Sequence, residues 1–147
     1  MEKFNNHISL KMESRSQNES LARTVVAAFI APLDPDINTL SDVKTAVSEA
    51  VTNAVIHGYR NMGGEITLEM TLRDGELKII VSDRGAGIAN IEQAMEPLYS
   101  TSKPEMERAG MGFTVMESFM DSVEVKSVAG EGTTIAMTKD LKNAKHG

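Results

Sequence analysis

The hydrophobic pattern of the chain is clearest between residues 43 and 59. Valine and alanine recur there at three- and four-residue spacing, which places them along one stripe of a helix. The stripe consists of Val43, Val47, Ala50, Val51, Ala54 and Val55. Glu49 and Asn53 lie one turn apart on the nearly opposite face. We therefore predict a central helix that begins at residue 38 or 39, ends near a C-cap at Gly58, and carries an acid beside an amide.

The same spacing predicts a helix on each side of the central one. The first is expected to run from an N-cap at Ser16 to about Phe29, because Ser16 and Glu19 have the spacing of a capping box. Arg23 is expected to be a solvated charge on this helix. Its buried stripe repeats every four residues, as Leu21, Val25 and Phe29. The last helix is expected to begin at Gly110-Met111-Gly112. Its buried side consists of Phe113, Met116 and Met120.

Alternation of apolar and polar residues predicts the strands. An edge strand is expected over residues 4–12, and two antiparallel strands over residues 65–82 turn at Asp74-Gly75. A second hairpin is expected over residues 123–138, and the polar residues 140–147 are expected to be frayed. These elements predict an α/β two-layer sandwich, with three main helices on a mixed, mostly antiparallel sheet.

Composition narrows the class of protein. A chain of 147 residues with 41% apolar residues and no internal repeat is expected to form one domain, 1–147. A net charge of −6 gives no nucleic-acid footprint, and the absence of cysteine excludes disulfides, thiolate zinc sites and catalytic thiols. Without a signal region or an apolar run of about 18 residues, a soluble cytoplasmic protein without a membrane partner is expected.

Three glycine-containing segments after the central helix could bind parts of a nucleotide. Asp83 precedes Gly85 and Gly87 after a predicted strand, so its carboxylate is placed to accept from an exocyclic amino group such as that of adenine. Gly110-Met111-Gly112 at a helix start would offer free N–H groups to phosphate. Each segment also has a plainer interpretation: a strand-to-loop turn, a glycine hinge and, for Gly132-Thr133-Thr134, an ordinary hairpin.

The polar face of the central helix supplies the remaining groups. The amide oxygen of Asn53 together with phosphate oxygens would be a sufficient set of ligands for Mg²⁺, which keeps several waters. Glu49 is placed to act as general base on the group that attacks a γ-phosphate. His57 continues this face, but a helix-end histidine is more often a dipole partner than a ligand.

Four motifs in this order resemble the ATPase and kinase superfamily that includes gyrase B, Hsp90, histidine kinases and MutL. They are Glu49-x-x-x-Asn53, Asp83-x-Gly85-x-Gly87, Gly110-x-Gly112 and Gly132-Thr133-Thr134. Over nearly the whole chain, the stretches SRSQNESLARTVVAAF, SEAVTNAVIHGY and PLYSTSKPEMERAGMGFTVMESFMD are similar to the sporulation anti-sigma factors that hold sigma-F. The stress-response anti-sigma kinases of sigma-B are their close relatives.

The resemblance implies a role for each site residue. Glu49 would deprotonate a serine of an anti-anti-sigma protein, Asn53 would hold Mg²⁺, and Arg108, in an ATP lid over residues 97–109, would reach the γ-phosphate. The other ATP contacts would be Asp83 and Thr133 at the adenine amino group, Gly87 beside the base, and Gly110 and Gly112 at the phosphates. Gly85 and Met111 would also belong to the ATP site.

The resemblance also implies partners. Arg23 would contact the sigma factor and the competing anti-anti-sigma protein, and a homodimer would bind one sigma factor. Three other functions stay open: an anti-sigma module that binds ATP without transferring phosphate, a plain ATPase, and a detached histidine-kinase domain. The last requires a phospho-acceptor histidine on a preceding helix, which His7, in a strand pattern, does not provide.

Overall fold

The computed structural model describes residues 4–60, 62–86 and 104–142, with the backbone alone for residues 104–110. In this part of the chain one sheet is formed by β1 (Asn6–Glu13), β2 (Glu65–Arg73), β3 (Glu76–Asp83), β4 (Ser122–Val128) and β5 (Gly132–Asp140). The helices are α1 (Gln17–Ile30), α2 (Ile37–Asn53) and α3 (Pro104–Phe119). The core lies between the helices and the inward-facing strand residues. No helix in the described ranges combines the length and apolarity needed to cross a membrane.

The predicted α/β two-layer sandwich is confirmed, but the prediction of a mixed sheet is wrong for the described strands. The strand order is β1-β2-β3-β5-β4, and every neighbouring pair is antiparallel. The two helices α1 and α2 return the chain so that β2 runs against β1. The helix α3 connects β3 to β4, which makes these two strands parallel, but β5 lies between them and pairs antiparallel with both.

The helix α2 is the centre of the helical layer and packs between α1 and α3. Its predicted apolar stripe is confirmed, because every one of those valines and alanines is at most 4% exposed. The predicted start was one or two residues late. Asp36 is the N-cap, and its Oδ1 accepts the backbone N–H of Thr39 at 2.7 Å. A carboxylate cap satisfies a donor that the first turn leaves unpaired.

The helix α1 has the predicted extent, and the predicted burial of Phe29 is confirmed, with Val25 partly buried against the core, but the predicted burial of Leu21 is wrong. It buries Ala22, Val26, Phe29 and Ile30, whereas Leu21 is 46% exposed. The helix α1 packs against α2, and the buried stripe passes through Ala22 and Val26 rather than through Leu21. The capping box is also wrong: Ser16 has helical angles and no side-chain cap bond, and Glu19 contacts Arg23 and Ser48 instead.

The helix α3 begins at Pro104, six residues before the predicted start. Proline is favoured in the first turn of a helix because its missing N–H is not needed there. Residues 110–112 therefore lie inside the helix rather than at its N-terminus, and the second half of the predicted lid, residues 104–109, is helical. Residues 97–103 lie outside the described part. The predicted buried side of α3 is confirmed by Phe113, Met116 and Met120, each at most 5% exposed.

Both predicted hairpins are confirmed. Asp74 and Gly75 have φ angles of 53° and 83°, the left-handed pair that a two-residue turn between β2 and β3 requires. The prediction of a frayed segment from residue 140 is wrong at its start. Leu141 is 2% exposed, and its N–H donates to the carbonyl of Gly75 at 2.8 Å. The predicted tail beyond Lys142 lies outside the described residues.

Candidate active site

The acid and the amide of α2 open into one small cavity. It has a volume of about 110 Å³ and is lined by Glu49, Thr52, Asn53, Ile56, His57 and Gly112. Asn53 is 6% exposed, although the sequence places it on the face opposite the apolar stripe. The reason is that α3 packs against α2 and covers that face. The polar pair therefore lies in a cleft between two helices rather than on open surface.

Burial changes the chemistry of Glu49. Partial burial raises the pKa of its carboxyl, and the neighbouring Glu19 carboxylate raises it further. A Cβ built on Gly112 would lie 3.2 Å from Oε2 of Glu49, so the backbone of α3 closely approaches this carboxylate. A carboxylate with a raised pKa is a stronger base than an ordinary surface glutamate.

The second part of the site is the end of β3. Asp83 is 8% exposed and pairs in register with Thr133 of β5. Its Oδ1 accepts the N–H of Gly85 at 2.9 Å. Burial raises the pKa of Asp83, while hydrogen bonds from the backbone N–H groups of Gly85 and Thr133 lower it in part. The strand end thus holds a buried acceptor whose position is fixed by backbone donors.

A π-helical turn, Ala54–Gly58, brings the end of the central helix onto this carboxylate. The carbonyl of Gly58 accepts the N–H of Ala86 at 2.7 Å. A Cβ at Gly58 would lie 2.8 to 2.9 Å from both carboxylate oxygens of Asp83, and a Cβ at Gly85 would lie 2.0 Å from the carbonyl oxygen of Gly58. Only glycine allows these two approaches, so the backbone of Gly58 lies directly against the Asp83 carboxylate and the backbone of Gly85 lies directly against Gly58. Gly58 is therefore a close-approach residue, and its prediction as a C-cap is wrong.

The structure brings together most of the predicted site residues that it describes. Glu49, Asn53 and Gly112 share one cavity, and Asp83, Gly85 and Thr133 form the neighbouring strand end. The remaining predictions divide by position. Met111 is 64% exposed, Arg108 and Gly110 are described only by their place in α3, and Gly87 lies outside the described residues. Arg23 lies on α1 and pairs with Glu19.

Sequence reasoning missed Tyr59 as well as Gly58. The hydroxyl of Tyr59 accepts the N–H of Arg84 at 2.8 Å and donates to the carbonyl of Glu65 at 2.5 Å. It therefore ties the segment after β3 to the start of β2. A tyrosine that follows a helix gives no local signal of this role, because Arg84 lies 25 residues further along the chain.

Comparisons with known proteins agree with this arrangement. Residues 12–139 match the family model of the histidine kinase-like ATPase domain. The anti-sigma F factor of Clostridium kluyveri is 56% identical over 136 residues, which cover 92% of this chain and 95% of that protein. The anti-sigma F factor of Clostridium acetobutylicum is 58% identical over 134 residues, 91% of this chain and 93% of that protein.

Two solved structures share the fold. The RsbU and RsbW domains of a Mycobacterium tuberculosis protein align with a TM-score of 0.67 at 23% identity, over 92% of this chain and 32% of that larger one. The catalytic domain of the histidine kinase ThkA aligns with a TM-score of 0.56 at 12% identity, over 91% of this chain and 97% of that domain. On the evidence of its relatives and its matching domain, this chain belongs to the anti-sigma F factor family, within the histidine kinase-like ATPases.

Proposed function

We propose that this protein holds a sigma-F type sigma factor in an ATP-dependent manner and, as a protein serine kinase, phosphorylates and inactivates an anti-anti-sigma protein. Its anti-sigma F relatives support the sigma factor partner, and its ATPase domain supports ATP binding. One observation carries the kinase part: the carboxyl of Glu49 has a raised pKa and opens into the same cleft as Asn53.

In the proposed reaction, Glu49 accepts the proton of a substrate serine hydroxyl. The serine oxygen then forms a bond to the γ-phosphorus of ATP, and the bond from that phosphorus to the β–γ bridging oxygen breaks. The products are phosphoserine, ADP and a protonated Glu49. Partial burial favours this role, since it makes the carboxylate a stronger base before the proton moves.

The strand end is the proposed adenine site. The Asp83 carboxylate would accept from the exocyclic amino group, supported by the N–H of Thr133, with Gly85 and Gly87 beside the base. Gly58 places no side chain against the Asp83 carboxylate, which fits a flat ligand at this place. This selects adenine over guanine, because guanine presents a carbonyl oxygen where adenine presents the amino group.

The phosphates would lie toward the cleft between α2 and α3. Asn53 would hold Mg²⁺ there, and the ion would neutralise charge on the phosphates. Arg108 would reach the γ-phosphate. Gly110, Met111 and Gly112 would contact the phosphates through their N–H groups, which requires the preceding turns of α3 to open, because these groups lie inside the helix.

Replacing Asp83 with asparagine should weaken ATP binding about tenfold to 100-fold, the value of a hydrogen bond to a charged group. The amide also brings a donor toward the N–H groups that now point at the carboxylate. Isothermal titration calorimetry with ATP measures the change. Asp74→Asn is the matched control, since Asn-Gly suits the same turn as Asp-Gly. Equal ATP affinity of the Asp83 variant and wild type would exclude the adenine contact.

The proposed partner contacts are those of a partner-switching protein. Arg23 would bind the sigma factor and the competing anti-anti-sigma protein, and the side chain is 43% exposed on α1. A homodimer would present this residue twice to one sigma factor. The relatives and the ATPase domain fit a second candidate equally well, an anti-sigma module that binds ATP without transferring phosphate. The alternative partner is a sigma-B type sigma factor.

The deciding experiment follows labelled γ-phosphate from Mg·ATP in the presence of purified anti-anti-sigma protein. Label on a serine of that protein supports the kinase. Free labelled phosphate alone would indicate an ATPase instead. ATP-dependent capture of the sigma factor without any label would overturn the kinase part and leave the binding module. Parallel capture of sigma-F and sigma-B type proteins identifies the preferred partner.

A further inference from the structure

The Glu19 side chain connects two parts of the molecule. Its Oε1 lies 3.1 Å from Nε of Arg23, one turn further along α1. The same oxygen accepts a hydrogen bond from the hydroxyl of Ser48 on α2. Arg23 is held in turn by Ser20, whose Oγ lies 3.3 Å from Nη2. The Glu19 carboxylate is therefore fixed between an arginine on its own helix and the residue that precedes Glu49.

Glu19 and Glu49 line neighbouring cavities. Glu19 lines a cavity of about 190 Å³ together with Ser16, Thr52, Val55 and Ile56. Thr52 and Ile56 also line the cavity that contains Glu49. The partly buried carboxylates of Glu19 and Glu49 thus line two cavities that have Thr52 and Ile56 in common. Screening is weaker there than on open surface, and the charge of Glu19 raises the pKa of Glu49.

We infer that Glu19 is a positioning residue for Glu49: its carboxylate, held by Ser48 and Arg23, sets how readily the base takes a proton and makes that property respond to whatever binds Arg23. The inference rests on the proposed function in taking Glu49 as the base. The partner chemistry it requires is an acidic side chain, since a carboxylate competes with Glu19 for the guanidinium.

The direction of the response follows from charge. Arg23 offsets part of the negative field that Glu19 exerts on Glu49. If a partner carboxylate takes the guanidinium, Glu49 experiences more of the Glu19 charge and holds its proton more tightly. Among the described side chains, His57 is the other titratable group that lines the Glu49 cavity, and Lys44 lines a third cavity together with Arg23.

A carboxyl titration by NMR tests the inference without any kinase assay. The ¹³C shift of the Glu49 side-chain carboxyl is followed against pH in wild type, Glu19→Gln and Arg23→Ala, with assignment by loss of the signal in Glu49→Gln. We expect the Glu49 midpoint to move to lower pH in Glu19→Gln and to higher pH in Arg23→Ala. Glu13→Gln is the matched control, because Glu13 also pairs with an arginine, Arg15, at 2.9 Å but on exposed surface.

The outcomes separate the inference from the proposed function. A Glu49 midpoint that is the same in wild type and Glu19→Gln would overturn the role of Glu19. A shift in Glu19→Gln without one in Arg23→Ala would overturn the link to Arg23. The proposed kinase function fails instead if phosphate transfer is absent while these midpoints shift as expected. Where transfer occurs, the acidic limb of its pH profile should move in the same direction as the Glu49 midpoint.

Discussion

Glu49→Gln should abolish phosphate transfer to the anti-anti-sigma protein, with a loss of about 10³-fold or more, because glutamine cannot accept the serine proton. The Kd for ATP should change by less than about threefold, the range of a substitution that removes no ligand contact. Single-turnover transfer of labelled phosphate and calorimetric ATP titration measure the two effects. Glu124→Gln, on the exposed side of β4, is the control for loss of one carboxylate.

The same variant should be more stable than wild type at pH 7. The pKa of Glu49 is raised in the folded protein, so its contribution to stability is present below the unfolded pKa and is lost as pH rises through the folded pKa. Glutamine cannot ionise and avoids that loss. The Tm of Glu49→Gln should therefore exceed that of wild type at pH 7, and the difference should disappear in acid. Equal loss of ATP binding and transfer, or a lower Tm at pH 7, would contradict this account of Glu49.

Gly85→Ala should destabilise the fold by about 3 kcal/mol, near the upper end for an overpacked site, and should remove ATP binding. The added Cβ would lie 2.0 Å from the carbonyl oxygen of Gly58 and 2.2 Å from its carbonyl carbon. Relief requires the end of the central helix to move away from β3, which separates Asp83 from the Glu49 helix. For a chain of this length, the expected fall in Tm is about 10 °C.

Gly63→Ala separates this collision from the general effect of adding a methyl group. Gly63 has a φ of +88° and nothing within 4 Å of its Cβ position. The substitution there should cost only about 1 kcal/mol, from the left-handed backbone, and should leave ATP affinity unchanged. Thermal melts and ATP titration of both variants provide the comparison. If the two variants lose the same stability and both bind ATP, the contact between Gly58 and Gly85 does not organise the site.

The predictions for Glu49→Gln and Gly85→Ala concern two different parts of the candidate active site. Glu49 supplies the proposed chemistry, and the contact of Gly85 with Gly58 holds the end of β3, the proposed adenine site, against the helix that carries Glu49. Gly85 belongs to the predicted motif Asp83-x-Gly85-x-Gly87, whereas Gly58 belongs to none of the four predicted motifs. Contact between the helix end and the strand end is what turns separate motifs into one cleft.

Much of the fold was determined by the sequence itself. The apolar stripe of α2 and the alternation in β2 and β3 predicted those elements, because the period of an amphipathic element is a local property. Asp74-Gly75 predicted the turn for the same reason, since its φ angles depend on those two residues. The family resemblance, carried by residues such as Glu49 and Asp83, predicted the candidate site without the structure.

Tertiary structure decided how the elements lie against one another. Periodicity predicted the extent of α1, but the docking of α1 on α2 decided that Leu21 faces outward. Asn53 is buried because α3 covers the polar face of α2. Glu19 accepts a hydrogen bond from Ser48 on another helix instead of forming the expected capping box. Gly58 lies against Asp83 because the helix end meets the strand end. Each of these contacts joins residues far apart in sequence, so its free energy depends on packing that no local pattern records.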